Sequence, residues 1–314
     1  MSISAEQGMA VVSRLPIGAR LQQWRRRNRQ LVEAYVILSP MLVYYSVFFI
    51  FPVAANLFIS FTQWNGITGT PKWVGLKNYG TYFTQAYPLI ILNTFTFAVV
   101  ILIIQTILAF LIAVLLNEKV FGRGAFRTLF YIPTLTSAAI TAQVTFAFIS
   151  PFDGALNNVL KSMGLPIVIW TANTFWMRAF IILYTIWRGL GGGIVYFLAG
   201  LQGIHREVYE AAMVDGATAR QLLLYITLPL LRPMLIFVLI TGMIGGFQIF
   251  EAVLLMSHGG PANTTNVMLL QIYNDAFVNT NMGVASAGSM IMAVLLLWFS
   301  LTNIRIMSRG QVEG

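Results

Sequence analysis

No cysteine occurs among the 314 residues, only two histidines do, and charged residues make up just 9% of the chain. The missing thiols exclude disulfides, thiolate nucleophiles and cysteine-held metals. His205 and His258 each stand alone in a polar stretch and read as solvated surface residues rather than as ligands. No G-x-x-x-x-G-K-[ST] run is present, so this chain has no P-loop to cradle the phosphates of ATP. No nucleophile–base constellation can be assembled either, which argues against an enzyme. The shortage of charge is itself informative, because soluble domains carry about a quarter charged residues.

In place of charge there is apolar length. Hydrophobic residues make up 58% of the sequence, and they gather into windows of about 20 residues, each long enough to cross a hydrocarbon core of about 30 Å. Six transmembrane helices are predicted, at residues 34–61, 89–117, 129–150, 174–200, 232–256 and 284–305. The net charge of +9 could suggest nucleic acid, but the basic residues flank apolar segments and form no nucleic-acid-binding motif.

Their placement sets an orientation instead. With the N-terminus inside, Arg14, Arg20, Arg25, Arg26, Arg27, Arg29, Lys119, Arg123, Arg127, Arg206, Arg220, Arg232, Arg305 and Arg309 collect on the cytoplasmic side. Lys72, Lys77, Lys161 and Arg178 remain outside, and Arg188 falls within the fourth span. By the positive-inside rule both termini are cytoplasmic. The basic N-terminal stretch lacks an apolar core before a small-residue cleavage site, so the first span is expected to stay as an uncleaved anchor. The expected organisation is a basic cytoplasmic segment 1–33, a single transmembrane domain 34–306 and a cytoplasmic tail 307–314. The loops 62–88, 151–173 and 257–283 then face outward, and the connection 201–231 faces inward.

That inner connection runs into the stretch EAAMVDGATARQLLLYITLPLLRP at 210–233, unusually polar for this chain. Val208, Ala211 and Ala212 fall at helical spacing, as do Ala219, Leu222, Leu223 and Ile226, which predicts two short amphipathic helices. Asp215-Gly216 separates them: glycine tolerates the left-handed conformation that ends a helix, and Asp is competent to cap the next. Pro229 and Pro233 limit the second helix. From the physics alone, such a hairpin is either a connector lying at the interface or a rigid knob that fills a groove on a soluble partner.

Glu210-Ala211-Ala212, Gly216, Ile226 and Leu228-Pro229 fall at the spacing of the EAA motif, and the chain resembles the permease subunits of binding-protein-dependent ABC importers. Val74-Gly75-Leu76-Lys77-Asn78-Tyr79, Arg127 with Phe130-Tyr131-Ile132-Pro133, Gly154-Ala155-Leu156-Asn157, Phe250-Glu251 and Gly259-Gly260-Pro261 resemble further elements of its carbohydrate branch. Glu251 stands where that branch commonly has Asp, and Ser257-His258 where it has Thr-Gly. The pattern is similar to the first of two paired permeases of the maltose, lactose and glycerol-phosphate type.

The resemblance implies an all-α membrane protein with a cytoplasmic coupling loop over 203–233. Glu210, Ala211, Ala212, Asp215, Gly216 and Ala217 would contact an ATP-binding subunit. It also implies a second permease, two ATP-binding subunits, an extracytoplasmic solute-binding protein and a bacterial-type inner membrane. ATP and Mg2+ would sit on the partner subunits, with no cofactor on this chain.

A sugar presents polar edges and apolar faces, so amides and hydroxyls near an aromatic ring suit it. Gln143, Tyr184, Trp187, Arg188, Gln248, Glu251, Ser286 and Ser289 are the candidate path residues, with Asn93 and Gln105 as further hydrogen-bonding groups. The alternative use of uncharged polar residues in spans is to join helices. Arg188 should lie in the inner third of its span and Glu251 near the outer end of the fifth, which disfavours a direct pair. A glycerol-phosphate-type anion, with Arg178 and Arg188 as attractions, is the alternative solute. A gradient-driven secondary carrier is the alternative mechanism; it would call for acidic residues at mid-depth.

Overall fold

The computed structural model describes residues 29–84, 87–118 and 122–309, and side chains within 33–305. The arginines before residue 29, Lys119 and the end of the expected tail lie outside the described residues. Two compact units are present, residues 1–58 and 59–314.

In the first unit lies most of α1 (Glu33–Ser60), a helix exposing Ile37, Phe48, Phe51 and other large apolar side chains. Pro40 cannot donate to the carbonyl one turn back, that of Val36, and the Ser39 hydroxyl takes it instead at 2.8 Å. A π turn, Ser46–Ile50, comes just before Pro52, where another backbone donor is missing.

The second unit opens with a small antiparallel pair, β1 (Thr62–Gln63) and β2 (Lys72–Trp73), in the register Thr62 to Trp73. The sequence marked this region only as an outward loop, because two-residue strands leave no periodicity to read. Next comes α2 (Lys77–Thr81), whose buried Asn78 donates to the carbonyls of Ser60 and Thr62. The long helices follow: α3 (Tyr87–Asn117), the pair α4 (Arg123–Leu135) and α5 (Ala138–Ile149), α6 (Ala155–Ser162) and α7 (Thr174–Gln202). After these come α8 (Arg206–Val214), α9 (Ala219–Leu230), α10 (Arg232–Phe247), α11 (Glu251–Met256), α12 (Met268–Tyr273) and α13 (Met282–Arg309).

The core of this unit is α7 laid along α3, with α10 against α3 and α4 against α7. Asn173 starts α7 by accepting from the amides of Phe175 and Trp176. Small residues allow the close approach that membrane helices depend on, since lipid supplies no hydrophobic drive between them. Gly191 is the clearest case: a Cβ there would run into the Phe130 carbonyl of α4.

Among the described residues, four helices are long and apolar enough to cross a membrane, α1, α3, α7 and α13, or six spans if each of two bent pairs counts as one. The expected straight third span, 129–150, is instead α4 and α5 bent by 96°. Pro133 lies in the last turn of α4, and Thr136 and Ser137 turn extended, with ψ 153° and 125°. The Thr134 hydroxyl holds the Arg188 carbonyl at 2.9 Å across this break. The expected fifth span, 232–256, is likewise discontinuous. It is preceded by a 66° bend between α9 and α10, and it is interrupted at Gln248–Phe250 between α10 and α11.

Candidate functional site

Two places carry the candidate residues. The first is the polar connection after α7. Helix α8 ends in a Schellman turn: Gly216 takes φ +83°, Ala217 N donates to Ala212 O at 3.0 Å, and Gly216 N to Met213 O at 3.1 Å. The separator therefore behaves as its Asp-Gly pattern predicts, but Asp215 does not cap the following helix. Thr218 does, in a capping box with Gln221, because two residues must turn before the chain can helix again. The second helix runs past Pro229 to Leu230, through a π turn over Leu222–Thr227 that accommodates the proline.

Glu210, Ala211, Asp215 and Gly216 are exposed, and Ala212 and Ala217 are half-buried. Glu210 pairs with Arg206 at 2.7 Å, an exposed i,i+4 contact of little energetic weight. Val214 is 88% exposed beside them, an apolar tip that the helical stripe alone did not single out. Tyr209 hydrogen-bonds the buried Thr227 at 3.2 Å, which fixes α8 against α9.

The second place is a cavity of about 330 Å³ walled by α3, α7 and α10 and by the break before α11. Tyr184, Arg188, Gln248 and Glu251, four of the candidate path residues, line it together, and Gln105 joins them. Gln143, Trp187, Ser286 and Ser289 are not in its lining. Trp187 faces outward, Ser286 is buried, and Ser289 bonds the Ala285 carbonyl of its own helix. Arg188 and Glu251, expected at different depths, line this one cavity without forming a pair.

The Arg188 guanidinium has no hydrogen-bond or ion-pair partner among the described residues, and its Nε is buried without an acceptor. Glu251 has none either. Non-helical backbone at membrane depth is tolerated where it lines a cavity, and Gln248–Phe250 does so here. Thr185, Tyr196 and Thr241 also line the space and were missed, because a lone hydroxyl in an apolar run gives no facing.

Two further polar clusters are structural. Asn93, considered as a sugar contact, is buried; it donates to the carbonyls of Asn263 and Asn266 and accepts from Arg178 Nη2 at 2.6 Å. Arg178 also holds the Thr264 carbonyl, so its charge is engaged in fixing the 257–267 loop. Asp275, which sequence reasoning passed over, is buried beyond α12 and accepts from Gln271, Asn279, Tyr82 and Tyr87. Burial holds its carboxyl above the usual range, and the four donors oppose that shift.

A helical chain with this many membrane-length helices, a cavity between them and an exposed polar hairpin has the build of a multi-pass transport component. Residues 105–309 match the family described as the binding-protein-dependent transport system inner membrane component, and the chain belongs to that family. It is a permease subunit, not a catalyst. It is 32% identical over 280 residues to the arabinooligosaccharides transport system permease protein AraP of Halalkalibacterium halodurans, covering 88% of each chain. It is 34% identical over 256 residues to the lactose transport system permease protein LacF of Rhizobium radiobacter, covering 78% of this chain and 84% of the relative. Among solved structures it is similar to a chain of a bacterial ABC transporter involved in the import of the acidic polysaccharide alginate. That match has a TM-score of 0.79 and 27% identity, over 92% of this chain and 99% of the other. A second match is to the alginate transporter in complex with a periplasmic protein bound to an alginate pentasaccharide, with a TM-score of 0.78 and 26% identity, over 92% of this chain and 98% of the other.

Proposed function

We propose that this permease forms part of the translocation path for a mono- or oligosaccharide across a bacterial inner membrane. It would pair with a second permease, receive solute from an extracytoplasmic binding protein and be driven by two ATP-binding subunits that carry the ATP and Mg2+. Each bent pair counts as one span, giving six, with both termini and the 203–233 loop in the cytoplasm. The basic segment 1–33 and the tail 307–314 flank this transmembrane domain.

The observation that carries the reading is the coupling hairpin: an exposed α8 closed by Gly216 at φ +83°, braced by Tyr209 and Thr227 and leading through α9 into α10. Such a unit transmits a push on α8 to the helix that walls the cavity. ATP-driven closure of the partner subunits would shift a two-state equilibrium of the bundle, with no covalent step on this chain. The names of the sugar-importing relatives support the solute class. The cavity lining adds that Arg188 and Glu251 leave it without net charge, which suits a saccharide better than a phosphate anion.

Gly216→Pro tests the reading, since proline is held near φ −65° and cannot take the left-handed turn. ATP-dependent sugar uptake should fall to background while the chain still reaches the membrane. Unchanged uptake would overturn the coupling role, and uptake that survives ATP depletion but collapses with an uncoupler would favour a gradient-driven carrier.

A further inference from the structure

At the start of α4 a second set of unneutralised charges appears, outside the cavity and against Gln202, the last residue before the 203–233 loop. Arg123 and Arg127 are one turn apart on α4, and both face the end of α7. With the Gln202 amide oriented so that its oxygen meets them, that oxygen accepts from Arg123 Nη2 at 2.9 Å and from Arg127 Nη2 at 2.8 Å. Two guanidinium groups therefore share one neutral acceptor, and both Nε atoms are buried without a partner among the described residues. No carboxylate among the described residues pairs with either; Glu118, exposed just before the loop, does not reach them.

Like charges held this close repel, and buried N–H groups left unpaired cost free energy, so the arrangement calls for an anion. The surroundings say which kind. Around the arginines, α4 exposes Phe126, which stands between them in sequence, and Leu129, just after them, as an apolar strip. A soluble phosphate would gain nothing from that strip, whereas acyl chains would lie along it with the headgroup at the arginines. Basic sites between spans at the cytoplasmic surface have this build.

We infer that Arg123, Arg127 and Gln202 hold the phosphate of an anionic phospholipid in the inner leaflet, docking the lipid between α4 and α7. The leaflet rests on the orientation proposed above; the chemistry of the site does not.

Native mass spectrometry of the full-length protein, purified and exposed to phosphatidylglycerol or phosphatidylcholine, tests this. The wild type should retain phosphatidylglycerol in preference. R123Q/R127Q should lose roughly thirtyfold in that preference, on about fivefold for each arginine near an anionic surface. R123K/R127K, which keeps the charge, should retain part of it, and Lys161→Gln, a charge-matched change on α6, should retain all of it. Because a double variant can fail to fold, the single R123Q is measured as well and should fall in between. Equal retention of the two lipids by the wild type, or phosphatidylglycerol retention indifferent to both arginines, would overturn the inference. Inorganic phosphate displacing the lipid at millimolar concentration and protecting the chain equally against unfolding would assign the site to a free anion and overturn the lipid. Lipid retention is read without transport, so a failure of the saccharide reading would leave this result standing.

Discussion

Asp275 shows how a single side chain can join several elements of a fold and be silent in the sequence. Acidic residues drew attention where they fell in the 210–233 motif or beside an apolar window, and Asp275 lies in neither, in a stretch that looks like ordinary loop. The structure buries it among Tyr82, Tyr87, Gln271 and Asn279, where it ties α2, the start of α3 and α12 together. Its carboxyl is raised by burial, so the folded protein binds its proton more readily than the unfolded chain does. The contribution of that proton to stability is complete below the ordinary carboxylate range and is lost as pH rises through the raised value. Thermal unfolding measured across the acidic range should therefore show a component that falls with rising pH and that disappears in Asp275→Asn. An identical pH profile in the variant would show that Asp275 does not titrate differently on folding. Asn93 makes the complementary point. Its presence in a span was legible, but its choice between solute and protein depended on Arg178, 85 residues away.

Helix boundaries were legible where local chemistry fixes them. The Asp215-Gly216 break was readable because only a left-handed residue closes a Schellman turn cheaply, and Asn173 caps α7 by an equally local rule. The bends were not legible, since an apolar window scores the same whether its helix is straight or turned by 96°. Pro133 alone could not reveal the α4 and α5 corner. It depends on Thr134 bonding the Arg188 carbonyl and on Gly191 admitting the Phe130 carbonyl, both contacts across chain segments.

The capping box of α9 offers a graded test of how stiff the coupling hairpin must be. Thr218→Ala removes the acceptor for Gln221 N and should cost about 1 kcal/mol of helix stability. If force passes through α9, ATP-driven uptake should fall severalfold in Thr218→Ala while background remains with Gly216→Pro, and Thr218→Ser should be near wild type. Uptake equal in all three and in the wild type would mean that α9 carries no load.

For the molecule as a whole, the discontinuous helices and the unpaired charges belong together. The break at Gln248–Phe250 frees backbone groups, and Arg188 and Glu251 add one charge of each sign to the same space, with no side-chain partner for either among the described residues. Two roles are open to such a pair, and they predict different couplings. If the charges served to neutralise each other across the cavity, removing one would strand the other in a low-dielectric site, and removing both would restore activity. If each instead grips the solute, Arg188 donating to sugar oxygens and Glu251 accepting from hydroxyls, the losses are independent. The two side chains form no ion pair in the structure, which supports independence. Charged hydrogen bonds contribute about 1.5–3 kcal/mol each, so R188Q and E251Q should each raise the KM for sugar uptake by about tenfold or more. In R188Q/E251Q the two effects should multiply within experimental error, as they do for sites that do not touch. Recovery in the double variant would instead identify an electrostatic gate, with the solute held by Tyr184, Gln105 and Gln248 alone.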